Sequence, residues 1–155
     1  MNPLDLILQK GGAGISMSRV DTAERLNPIL EAHLRLNHAY EYALAHAGDA
    51  ALAGTLGDLQ RTARMDAGKI AETIFSLGGL PFSGTSIEPG SLPVEGRGEA
   101  MFTHLVDREK DFGKLVAGED KLDHQIRTKA ILGVLKANSE KRIDEVQKAV
   151  RRVRF

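Results

Sequence analysis

The sequence predicts an all-α protein, a four-helix bundle with a long crossover between helices 2 and 3. Three observations carry this. Apolar residues recur at three- and four-residue spacing through four long segments. Val, Ile and Thr nowhere cluster with period two, so strand patterning is nearly absent. A Gly/Pro/Ser-rich stretch separates the second segment from the third, of a length that suits a chain passing from one end of a bundle to the other.

At 155 residues the chain is long enough for one domain with a substantial core, and it needs no disulfide or metal staple to hold it. The bundle is expected over residues 19–155, preceded by a flexible N-terminal arm over residues 1–18. The absence of cysteine excludes disulfides, zinc–thiolate sites and thiol catalysis. Lys+Arg and Asp+Glu number 21 each, so no global field draws the chain to nucleic acid or to a membrane surface. No stretch approaches the roughly 18 to 20 apolar residues of a membrane span, and the N-terminus lacks the pattern of a signal peptide. These features predict a cytoplasmic protein with neither nucleic acid nor membrane as partner.

In the arm, Leu4, Leu6, Ile7 and Leu8 are followed by Gly11-Gly12-Ala13-Gly14, with no Lys-Ser/Thr to make a phosphate loop of it. Helix 1 is expected from Asp21, as N-cap with Glu24 three residues later, to about Ala47. Its inner stripe reads Leu26, Leu30, His33, Asn37, Tyr40 and Leu44, and the polar members need buried partners. Helix 2 is expected from about Asp49 to Leu77, with Leu52, Leu56, Leu59, Ala63, Asp66, Ile70, Ile74 and Leu77 inward. Gly78-Gly79 and Pro81 then stop it. After a loop to about Gly98, helix 3 spans Glu99 to Ala117, with Phe102, Leu105, Glu109, Phe112 and Val116 inward. Gly118-Glu119-Asp120 is read as the turn. Helix 4 runs from about Lys121 almost to the end, with Leu122, Ile126, Leu132, Lys136, Ile143, Val146, Val150 and Val153 inward. A rotation by one residue would put Leu135 in the place of Lys136.

The run Ile-Ala-Glu-Thr-Ile-x-x-Leu-Gly-Gly-Leu-Pro, residues 70–81, resembles the end of the second helix in the ferritin-like superfamily, bacterioferritins and mini-ferritins in particular. The resemblance implies a bundle that holds two metal ions through one Glu on each of helices 1 and 3 and a Glu-x-x-His pair on each of helices 2 and 4. Aligned on this run, the helix 2 pair falls at Ala63 and Asp66. The helix 3 carboxylate becomes Glu109, the helix 4 pair falls near Lys136 and Ser139, and helix 1 offers His33 or Asn37 in place of a Glu. No Glu-x-x-His occurs in the chain.

Charge separates the readings. With Asp66 and Glu109 ionised and Lys136 protonated, two divalent ions would leave a large uncompensated positive charge in the core. The expectation is therefore a degenerate ferritin-like bundle with no cofactor, in which His33, Asn37, Tyr40, Asp66, Glu109 and Lys136 form a polar cluster at the former metal site. Such a protein would be structural or interacting and not catalytic. The alternative is an iron-handling protein or oxidase with an unusual site, in which His33, Asp66 and Glu109 hold iron, manganese or zinc.

His38 with Glu41, His104 with Asp107, and Asp120 with His124 have ligand-like spacing but fall off the inner stripes, so they are read as surface pairs. Met65 is displaced from the haem-ligating position that the resemblance would imply. No Ser or Thr has a His and acid partner arranged for hydrolysis. Leu36 and Tyr42, placed on the outer face of helix 1, predict packing against a second copy, as a homodimer or larger homo-oligomer.

Overall fold

A computed structural model describes residues 16–87 and 96–155 of the chain. Four helices make up the bundle: α1 (Arg19–Ala45), α2 (Ala50–Ser76), α3 (Glu99–Asp120) and α4 (Ile126–Arg151). No strand occurs among the described residues. α1 packs on α2 and α3 on α4, while α1 also meets α3 and α2 meets α4.

Each neighbouring pair is antiparallel. Arg25, near the start of α1, meets Glu119 at the end of α3, whereas Tyr40 near the end of α1 meets Glu109. Arg19 reaches the Ser76 carbonyl at the end of α2, and Phe155, just beyond α4, lies against Phe102 at the start of α3. Helices α2 and α3 are therefore parallel, the arrangement that the long crossover requires. The starts of α1 and α4 and the ends of α2 and α3 share one end of the bundle.

The helix ends follow from local chemistry. Ser18, not Asp21, caps α1, its Oγ accepting from the Asp21 amide at 3.1 Å. Asp49 caps α2 through the Leu52 amide at 2.8 Å. α2 closes with the Gly78 amide on the Phe75 carbonyl and the Gly79 amide on that of Ile74, each at 3.0 Å, with Gly78 at φ +83°. α1 continues through Pro28, and the adjacent Asn27 pins the start of the crossover. Its amide donates to the Leu80 carbonyl at 3.0 Å and its oxygen accepts from the Phe82 amide at 2.8 Å.

Three expectations are corrected. α3 continues through Gly118 to Asp120, and α4 begins at Ile126 and not near Lys121. The intervening turn is held by the Leu122 amide on the Glu119 carbonyl and by the Met17 amide on that of Asp123. Leu36 is buried and belongs to the core, while Ile126, the first residue of α4, is 87% exposed. The N-terminal arm, with its apolar run and Gly cluster, lies outside the described residues as far as Ile15.

Candidate functional site: a buried arginine between two carboxylates

The inner stripe of α4 reads Leu132, Leu135, Ser139, Arg142 and Val146, all buried. This phase settles the rotation of the helix. Leu135 points inward and Lys136 is exposed, so Lys136 is not the cation of the core cluster. Arg142 takes that role, six residues or about 1.7 turns further along, with its side chain 1% exposed.

Its guanidinium joins the two buried carboxylates. Nε donates to Glu109 Oε1 in a short ion pair, and Nη1 donates to Asp66 Oδ2 at 3.0 Å. The remaining acceptor positions are also filled. Tyr40 Oη donates to Glu109 Oε1 at 2.8 Å, and Ser139 Oγ donates to Glu109 Oε2 at 2.7 Å. Asn138 Nδ2 lies 3.0 Å from Asp66 Oδ1 and 3.1 Å from Oδ2, and Lys69 Nζ stands 3.9 Å from Oδ1 at the edge of the site. A planar fork with several donors suits two carboxylates on different helices better than a single ammonium would.

The charges reinforce one another. Burial disfavours the charged form of Arg142, but the Glu109 charge and hydrogen bond outweigh it and raise the pKa above the usual arginine value. Burial, with the Glu109 charge beside it, pushes the Tyr40 phenol well above its usual pKa, so Tyr40 remains a donor.

One turn of α1 from Asn37, the His33 ring is fully buried, its centroid 4.4 Å from that of Phe112. Burial and the nearby Arg142 charge lower its pKa to about 4, so the imidazole is neutral at pH 7. Neither ring nitrogen has a partner among the described residues, nor does Asn37 Oδ1. Of the six expected cluster residues, Tyr40, Asp66 and Glu109 are joined through Arg142. His33 and Asn37 are buried without joining that network, and Lys136 is outside it. No group of three His, Asp or Glu side chains among the described residues is arranged to hold a metal ion.

A second polar cluster lies at the end of the bundle where α1 starts. Arg25 donates through Nε and Nη2 to the two Glu119 oxygens at 2.6 and 3.1 Å, and His124 Nε2 lies 2.8 Å from Glu119 Oε1. His124 is only 4% exposed, which corrects its reading as half of a surface pair with Asp120. Burial opposes ionisation of Glu119, but hydrogen bonds from Arg25 and His124 prevail and lower its pKa. His38 and Glu41 form the expected surface pair at 3.5 Å, and Met65 is exposed.

Sequence reasoning missed Arg142 and Glu119 because charged residues are by default placed on solvated faces. The signal was there for Arg142: it continues the Leu132, Leu135, Ser139 spacing and leads to Val146. A scan against family models finds no match, and a search of curated proteins finds no relative.

Proposed function

We propose that this chain is a ferritin-like bundle without a di-metal centre, acting as a non-catalytic structural or interaction protein. The observation that carries the reading is Arg142, buried between Asp66 and Glu109. Ala63 and Asp66 on α2 stand where the resemblance puts the helix 2 pair. On α4 the pair expected near Lys136 and Ser139 is not buried as such, Lys136 being exposed, and the buried residues at that spacing are Ser139 and Arg142. The guanidinium supplies the positive charge that metal ions would otherwise bring. With Asp66 and Glu109 ionised, the trio carries a net charge of −1. Two divalent ions would add four positive charges beside an arginine that cannot give up its proton, so these residues do not fit a di-metal centre.

The neutral, unpartnered His33 ring is the one feature that favours the alternative, a single iron, manganese or zinc ion held by His33, Asp66 and Glu109. Arg142 competes with it for both carboxylates. Elemental analysis of protein purified without chelators, followed by titration with ferrous iron and zinc, separates the readings. Less than a tenth of an ion per chain is expected, and stoichiometric metal that Asp66→Asn abolishes would replace the first reading with the second. An interaction role also draws on the outer faces of α1 and α2, where Tyr42 and Met65 are exposed beside the Glu41–Arg64 pair. Solution mass tests whether this face joins copies in a homo-oligomer.

A further inference from the structure

Four of the five most exposed large apolar side chains among the described residues gather at one end of the bundle. Val20 opens α1 and is 65% exposed, Phe75 and Leu80 stand at the end of α2 at 73% and 86%, and Ile126 opens α4 at 87%. Contacts bring these elements together. Arg19 donates to the Ser76 carbonyl at 2.7 Å, Asn27 holds the Leu80 carbonyl, and Arg19, Ser76 and Gln125, each adjacent to one of the exposed residues, line a single groove. Apolar side chains concentrated in this way mark a surface that something covers.

The described chain starts at this same end. The Met17 amide is bonded to the Asp123 carbonyl at 2.8 Å, which fixes the entry of the chain beside the turn that leads to Ile126. The residues before it carry Leu4, Leu6, Ile7 and Leu8, followed by Gly11, Gly12 and Gly14. We propose that the Leu4–Leu8 run of this chain covers the apolar end formed by Val20, Phe75, Leu80 and Ile126.

Three arguments select this occupant. Residues 9 to 17 can span roughly 30 Å when extended, whereas adjacent helix axes lie about 8–10 Å apart, so the run reaches every part of the end. A short tether also holds the run at an effective concentration of about a millimolar, which a free partner would have to exceed. Charge agrees as well. Asp5 is the only ionised side chain within the run, and the groove beside the patch carries Arg19, Lys69 and Arg127 against Glu72.

The cysteine-free chain allows a direct test in the full-length protein. Leu8→Cys is combined with Ile126→Cys, and in a second protein with Met65→Cys, which is also exposed but stands outside the patch, about 15 Å along α2 from Phe75 by helix rise. Under mild oxidation the Ile126 pair should close within one chain about tenfold faster than the Met65 pair, at a rate independent of protein concentration. Adding Leu6→Asp should slow the Ile126 pair by about tenfold and leave the Met65 pair unchanged, and an Ile126 rate that Leu6→Asp does not alter would overturn the proposal. Equal rates in the original pairs would overturn the proposal. Cross-linked dimers whose yield rises with concentration would also overturn it, by assigning the patch to a second copy.

Discussion

Arg142 and Glu109 are paired in the centre of the bundle with each side chain 1% exposed, and the same guanidinium holds Asp66. Three helices thus meet at one buried cation. The isolated pair would gain little over an apolar core, because removing two charges from water offsets much of their attraction. Removing one partner is another matter.

Arg142→Met should destabilise the bundle by about 3–5 kcal/mol, because it leaves Glu109 buried with no cation and Asp66 with only Lys69 at the edge of the site. Urea unfolding followed by circular dichroism measures this. Lys136→Met, on the exposed face, should change stability by no more than about 0.5 kcal/mol. A reversed order of the two effects would remove Arg142 from the centre of the cluster.

Tyr40→Phe removes one donor to Glu109 and leaves the ring in place. It should cost about 1.5–3 kcal/mol, the range for a hydrogen bond to a charged group. The raised phenol pKa gives an independent readout. In an ultraviolet titration the Tyr40 phenol should stay protonated through its ordinary range near pH 10 and ionise only when the bundle unfolds.

The pH dependence of stability tests His33. Its pKa falls from 6.5 to about 4 on folding. Between those values the unfolded chain binds a proton that the folded chain does not, so stability rises with pH across this window. His33 alone should therefore weaken the fold by about 3 kcal/mol as pH drops from 7 to 4. Glu119 acts in the same direction at lower pH, since its depressed pKa gives stability that is lost as pH falls through the folded value. His33→Phe should flatten the slope between pH 6.5 and 4 and leave the Glu119 contribution intact. An unchanged slope in that window would show that His33 is not buried neutral.

The fold was legible because helix periodicity and the Gly78-Gly79 stop are local signals, and the crossover follows from them. The two carboxylates were legible for the same reason, since Asp66 and Glu109 interrupt otherwise apolar stripes. Their cation was harder to read. Lys136 and Arg142 are six residues apart, which places them on opposite flanks of α4, and the phase depends on a helix start that tertiary contacts decide. The Glu119–His124 bond and the Met17–Asp123 bond organise the turn before Ile126. The first spans only five residues, but the second joins parts of the chain that no short window contains, so the start of α4 emerges only from the folded arrangement.

Gly78 and Gly79 end α2 for different reasons, and substitution should separate them. At Gly78 the constraint is backbone: φ is +83°, and a methyl placed there would meet nothing within 4 Å, so Gly78→Ala should cost about 1–2 kcal/mol through conformation alone. At Gly79 the constraint is space. A Cβ there would lie 2.7 Å from Ala23 Cβ and 3.0 Å from Ile74 Cγ2, so α1 and the end of α2 would have to move apart. Gly79→Ala should therefore cost about 1–3 kcal/mol by overpacking. Ala23→Gly distinguishes the two mechanisms, because it removes the methyl that Gly79→Ala meets and does nothing for the backbone at Gly78. In double-mutant cycles by urea unfolding, Ala23→Gly should recover about 0.5 kcal/mol or more of the Gly79→Ala loss and couple to Gly78→Ala by less than about 0.3 kcal/mol. Equal coupling to both would mean that the close approach of α1 to this turn does not govern the requirement for glycine at position 79.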